Sequence, residues 1–225
     1  MNAADLWEML WLTLRVGAFA TALALPFAVA LAWGLARFEF RARPLVQAVV
    51  SLPMVLPPVA VGLALLVLLG PRGPLGSLWR ALDVELVFTR SAAVLAAAVV
   101  GFPLLVRACE QAFAEVDPRL ERVARTLGAG RARVFFRVSL PLARRGVLYG
   151  VLLAFTRALG EFGATAIVAG ILPGRTETLA LGIYARVQLG DDAAALVLCA
   201  ASFALALSAM LVAEIWLGRR RGSPR

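Results

Sequence analysis

Five apolar stretches, at residues 10–36, 44–69, 91–108, 146–169 and 193–217, occupy more than half of this 225-residue chain. A bilayer's hydrocarbon core is crossed by on the order of 20 apolar residues in helical form. Each stretch therefore reads as a membrane span. The third is the shortest, and Pro103 near its end blurs its boundary. The alternative, a soluble domain with a large core, fails on composition: 61% of the residues are hydrophobic and only 16% are charged. Soluble domains average about 45–50% and about 25%, and a chain of this size has too little interior for so much apolar surface. The first stretch is not a secretory leader on this reading, because residues 1–14 carry only Asp5 and Glu8 where a leader has a basic start. The expectation is an all-α integral membrane protein with five transmembrane helices.

The charged residues exclude several chemistries and set an orientation. All 23 basic residues are arginine, against 14 acidic ones, and the chain has no lysine and no histidine. A P-loop ATPase needs its lysine, while a histidine zinc site or a Ser-His-Asp triad needs imidazole. No cofactor, metal or catalytic residue is therefore expected. Arg37, Arg41 and Arg43, nine arginines from Arg107 to Arg145, and Arg219, Arg220, Arg221 and Arg225 share one set of loops. The opposite side holds Arg72, Arg80, Arg90, Arg175 and Arg186, and Arg15 and Arg157 fall inside spans. By the positive-inside rule the N-terminus is outside and the C-terminus cytoplasmic. Basic residues split among short loops do not make a nucleic-acid face, so no nucleic-acid partner is expected. Cys109 and Cys199 read as small apolar core residues.

One cytoplasmic segment, 107–145, is long enough for structure of its own. Asp117-Pro118 is a helix start, with Asp as cap and Pro at the first helical position. Leu120, Val123, Ala124 and Leu127 follow at helical spacing and form an apolar stripe, while Arg119, Glu121, Arg122 and Arg125 lie largely on the other side. Gly128-Ala129-Gly130 stops the helix, and a second helix over 131–138 precedes Leu140-Pro141. By itself this pattern also fits an amphipathic helix lying on anionic lipid.

The register of this segment resembles the cytoplasmic loop of ABC importer permeases: E-A-A, three residues, G, nine residues, I, one residue, L-P. Gly128 and Val138-Ser139-Leu140-Pro141 keep that spacing, whereas Arg122-Val123-Ala124 stands in place of E-A-A and Glu121 lies one position early. Leu52-Pro53-Met54-Val55-Leu56-Pro57-Pro58-Val59, Arg125-Thr126-Leu127-Gly128-Ala129-Gly130 and Leu159-Gly160-Glu161-Phe162-Gly163-Ala164-Thr165 are similar to molybdate permeases of that class. The resemblance covers roughly residues 6–217, and Gly-Glu-Phe-Gly-Ala is also like sulfate permeases, which are usually longer. It implies a type I importer permease domain over 6–217, a coupling loop at about 113–141 and a basic cytoplasmic tail at 218–225. It further implies a second copy of the chain, a cytoplasmic ATP-binding subunit pair, an external molybdate-binding protein and membrane lipid as partners, in a bacterial inner membrane. In such a loop Glu121, Arg122, Ala124, Leu127, Gly128, Leu140 and Pro141 would meet the ATPase.

Candidates for the translocation path come from breaks and charges inside spans. Pro53, Pro57 and Pro58 interrupt the second span, which fits either a packing kink or a pore wall. Arg157 and Glu161 are four residues apart near the middle of the fourth, and so share a face of a continuous helix. A charge at that depth costs about 2.5–3.5 kcal/mol on insertion scales and faces the protein interior. The two readings are a neutralising structural pair and an arginine that helps a dianion across. Thr156 and Thr165 have hydroxyls for an oxyanion, although back-bonding to their own helix is the simpler expectation. A short interfacial helix is expected over 178–189. Sulfate and tungstate are the alternative cargoes, and an intramembrane enzyme or a passive anchor are the alternative classes.

Overall fold

The computed structural model describes residues 2–83 and 85–218, and among these every regular element is helical. In chain order they are α1 (Ala3–Arg37), α2 (Arg43–Val55), α3 (Pro58–Leu69), α4 (Gly76–Ala81), α5 (Arg90–Ala114) and α6 (Pro118–Thr126). Then follow α7 (Arg131–Val134), a π turn (Phe135–Ser139), α8 (Leu140–Leu159), α9 (Gly163–Val168), α10 (Leu179–Gln188) and α11 (Asp192–Gly218). Among the described residues, four helical runs are long and apolar enough to cross a bilayer, and α2 with α3 make a fifth, broken one. Four of the five expected spans are therefore continuous helical runs, and the second is a sharply bent helix pair. The basic tail expected at 218–225 lies, but for Gly218, outside the described residues.

The core is a seam of small residues. Ala20, Ala24, Ala28 and Ala32 recur every fourth position on α1, and Ala92, Ala93, Ala96 and Ala97 lie on α5; all are buried. A four-residue repeat keeps one face inward. In a bilayer, where helices gain little from leaving water, small side chains let two backbones come close enough for dispersion to hold them. α1 packs along α5, and α5 along α8. On α8, Gly150 faces Ala108 and Leu105 of α5. The outward face of α1 carries Trp7, Trp11, Phe19 and Phe27, all exposed, as does α11 with Leu196 and Phe203. Thr13 fastens the N-terminal half of α1: its hydroxyl donates to Met9 O at 2.7 Å and accepts from Leu179 N at 2.9 Å, joining α1 to the start of α10.

The second span bends by 110° between α2 and α3. The residue before a proline is pushed out of the helical region, and here two prolines follow one another. Leu56 and Pro57 accordingly have ψ of 144° and 133°, and the chain restarts as a helix at Pro58. Pro53, by contrast, is accommodated within α2.

The fourth span departs from expectation at both ends. Its helix begins far earlier, running without interruption over Arg131–Leu159, so the expected separate helix at 131–138 is its first turns. It also ends earlier, at Leu159, so that Arg157 is in its last turn and Glu161 lies beyond the helix. Gly160 disfavours helix continuation, and the Glu161 carboxylate takes up a free amide on the far side of the break: Ala164 N donates to Glu161 Oε1 at 2.9 Å.

Candidate functional site

Two regions hold the residues singled out by the sequence. The first is the turn-bearing segment after α5. Asp117 caps α6 as expected, its side chain accepting from Arg119 N at 2.8 Å, with Pro118 in the first turn. Gly128 closes the helix at φ +84°, a left-handed conformation that disfavours any residue with a Cβ.

The orientation of α6 is the informative part. Its apolar stripe does not pack on the bundle: Leu120, Val123 and Leu127 are all exposed, Leu127 by 82%. Ala124 is half-buried, and Arg119, Arg122 and Arg125 are exposed. Among the described residues of α6, Glu121 alone is buried. Glu121 Oε1 accepts from Arg37 Nε at 2.8 Å and from Ser139 Oγ at 2.7 Å, while Arg37 Nη2 donates to Val116 O at 2.9 Å. The stripe, together with Val138, Pro141 and Leu142, lines an open groove of about 530 Å³ edged by Arg137 and Arg144. Leu140 is half-buried at the start of α8, beside exposed Pro141. α6 thus buries a single carboxylate and leaves both its apolar stripe and its arginines exposed.

The second region is the junction of the two broken spans. α3 packs on α9, and the contact is backbone-close. A Cβ on Gly62 would come 2.7 Å from Ala164 O, and one on Gly163 would come 2.8 Å from Pro58 Cβ. The break at Leu56-Pro57 thus adjoins the segment that follows the break at Gly160. Arg157 Nη1 reaches Glu161 Oε2 at 2.9 Å, with the arginine side chain 34% exposed and the glutamate 2%. The pair forms although the helix they were expected to share has ended. Pro57 and Pro58 are exposed and Pro53 is half-buried, and every residue of α2 is at least partly exposed. Thr165 is 1% exposed and so lies inside the packed junction rather than on an open wall. Thr156 back-bonds to Leu152 O and Leu153 O, both at 3.0 Å, as expected.

Sequence reasoning missed Arg37 and Ser139, which it read as a topology charge and a spacer in the loop pattern. Their signal was the position of Glu121, one residue early and on the polar side of an otherwise arginine-rich helix. Among the described residues, no group of three His, Cys, Asp or Glu is placed to hold a metal.

Residues 24–221 match the family model for the binding-protein-dependent transport system inner membrane component. The chain belongs to this permease family. The molybdenum transport system permease protein ModB of Escherichia coli (strain K12) is 46% identical over 215 residues, covering 95% of this chain and 93% of that one. ModB of Haemophilus influenzae is 41% identical over 211 residues, or 93% and 92% of the two chains. The sulfate transport system permease protein CysW of Synechocystis is 38% identical over 179 residues, covering 80% of this chain but 65% of the relative. Among solved structures, inward-facing MetNI methionine ABC transporter matches with a TM-score of 0.71 at 17% identity, over 97% and 99% of the two chains. A bacterial ABC transporter that imports alginate matches at 0.76 and 18% identity, over 99% and 82%. These likenesses show the fold to be that of a type I ABC importer permease, with the multi-pass inner-membrane character of the family.

Proposed function

We propose that this permease carries molybdate across the cytoplasmic membrane, as a dimer of identical chains driven by ATP hydrolysis on a separate cytoplasmic subunit pair. The observation that carries this reading is the 46% identity to the Escherichia coli molybdenum permease over 95% of the chain. Sulfate, another tetrahedral dianion, is the second reading, and the shorter coverage of the sulfate relative makes it the weaker one. Tungstate is the remaining alternative cargo.

The outward stripe of α6 supports ATPase docking. Leu120, Val123 and Leu127 supply apolar area, and the exposed Arg119, Arg122, Arg125, Arg131 and Arg133 supply a cationic rim that sets register and favours an acidic counterpart. Arg122, where the family pattern has a carboxylate, carries the opposite charge on that rim. In the membrane, Arg157 stands partly open just before the break at Gly160 and is held by buried Glu161. That arrangement lets a cation meet a passing dianion without leaving an unbalanced charge among the helices. Glu161 would repel the cargo and acts on Arg157 instead. With the arginine-rich loops cytoplasmic, the starts of α1 and α5 and the helix α10 face outward. There a charged cavity of about 430 Å³, lined by Asp5, Glu8, Arg15, Arg90, Glu177 and Arg186, offers polar contacts to an external binding protein.

The test is uptake of labelled molybdate into vesicles holding the permease, its ATPase pair and the binding protein. Excess unlabelled molybdate is expected to suppress uptake far more than excess sulfate, with tungstate as a further competitor. Dominant competition by sulfate would move the assignment to the second reading. The purified chain alone is expected to hydrolyse no ATP.

A further inference from the structure

We infer that Arg37 and Ser139 are positioning residues for energy coupling: with Glu121 they form a buried latch that locks α6 to α1 and to the root of α8. The inference rests on the reading of α6 as the docking helix, and deepens it. A short amphipathic helix ordinarily attaches to its protein by its apolar side. α6 reserves that side for solvent or a partner, and the side turned inward has Glu121 as its buried contact. Its tilt and register therefore depend on a few polar bonds. Those bonds are directional: one carboxylate oxygen is fixed from two sides, by Arg37 Nε at 2.8 Å and Ser139 Oγ at 2.7 Å. The fork of Arg37 simultaneously holds Val116 O at 2.9 Å, just before α6 begins. The side chains of Arg37 and Glu121 are 10% and 4% exposed and Ser139 is fully buried, so water cannot substitute for a lost partner.

The elements joined this way lead into the membrane. Arg37 is the last residue of α1, which packs along α5 through the alanine seam. Ser139 closes the π turn that opens directly into α8, whose last turn bears Arg157. π turns cost regular hydrogen bonding and are concentrated at functional sites. Here the turn delivers the Ser139 hydroxyl to Glu121, and its Phe135 ring meets Trp33 of α1 edge-on at 5.3 Å. A push on α6 consequently moves α1 and α8 as one body. Without the latch, α6 would tilt on its flanking turns and the push would be lost.

The test uses the full complex, with ATPase pair and binding protein, in vesicles, and reads molybdate transported per ATP hydrolysed. Misfolding lowers the assembled amount, so the ratio is measured on assembled complexes. Arg37→Ala is expected to lower it roughly fivefold or more, within the range for groups that share one network. Arg37→Lys should recover part of the loss, since an ammonium keeps the charge without the fork that grips Glu121 and Val116 O together. Arg37→Ala combined with Glu121→Gln should be no worse than Arg37→Ala. An unchanged ratio in Arg37→Ala, or losses that multiply in the double variant, would overturn the latch. Should no Arg37 variant assemble, Ser139→Ala decides: a lowered ratio supports the latch and an unchanged one rejects it. Gly128→Val separates the two readings. If it uncouples while the latch variants do not, the latch alone falls; if neither uncouples, the docking reading falls as well.

Discussion

Arg37 and Glu121 lie 84 residues apart in sequence and Arg157 and Glu161 only four, yet the two pairs close to nearly the same distance, 2.8 and 2.9 Å. They differ in surroundings. The distant pair is buried on both sides and reinforced by Ser139 and the Val116 carbonyl. The local pair has a buried carboxylate but an arginine one-third open. A local pair neutralises charge at little cost in order, because the chain already holds its members together. It cannot orient one helix against another far along the chain. A distant pair has to be brought together by the fold, and in return it fixes the elements that carry it. Similar chemistry thus balances charge within one span and orients α6 against α1 and the root of α8.

The comparison is broken most severely by removing one partner of the local pair. Arg157→Ala leaves Glu161 buried and unneutralised, at a cost of about 3–5 kcal/mol, read as loss of assembled protein and a lowered thermal midpoint in detergent. Adding Glu161→Ala should restore assembly. A double variant no better folded than the single would mean that the two groups act separately. Next in size, Ser139→Ala takes one hydrogen bond from a buried carboxylate, about 1.5–3 kcal/mol. Thermal unfolding should register this as a smaller shift, and no shift would make Ser139 a bystander.

A third substitution changes backbone rather than charge. Gly128 sits at φ +84° in open space among the described residues, so a side chain meets backbone strain instead of a clash. Gly128→Val should cost about 1–3 kcal/mol locally and uncouple transport, whereas Gly128→Asn, which tolerates this region, should retain most uptake. Equal effects from the two would point to the volume of the side chain. The smallest effect is expected from salt. Raising ionic strength from about 0.1 to about 1 M shortens the screening length from about 10 to about 3 Å. The thermal midpoint of the permease alone should hold nearly constant because the carboxylate of each pair is buried. Affinity for the ATPase pair, measured by pull-down, should fall as its arginine rim is screened. A parallel fall in both would argue against burial of the pairs.

Much of the architecture was legible because bilayer crossing makes a coarse demand, about 20 apolar residues in a row. The helix start at Asp117-Pro118, the left-handed stop at Gly128 and the short helix α10 followed from local backbone rules and appear where those rules place them. The end of the fourth span did not. Its apolar run continues through Gly160 to Ala169, and hydropathy does not register that Glu161 bonds across a break. Thr165 likewise looked available to a substrate in sequence, but close packing of α9 on α3 encloses it. The loop pattern singled out the segment of α6 without its orientation. An amphipathic helix has two faces, and periodicity alone does not say which one the bundle takes.

Read alone, the chain of residues already dictated a membrane protein with an arginine-weighted side, a proline-broken second span and a capped, glycine-stopped helix after the third span. Each of these rests on neighbours within a turn or on a sum along the chain. Tertiary structure decided the rest: that α3 and α9 meet at their breaks, that the stripe of α6 turns outward, and that Glu121 turns inward to Arg37 and Ser139. Those outcomes depend on which buried polar groups find partners across long separations. A carboxylate carried inward must be paired where it lands, and only the packed helices determine which donors are there.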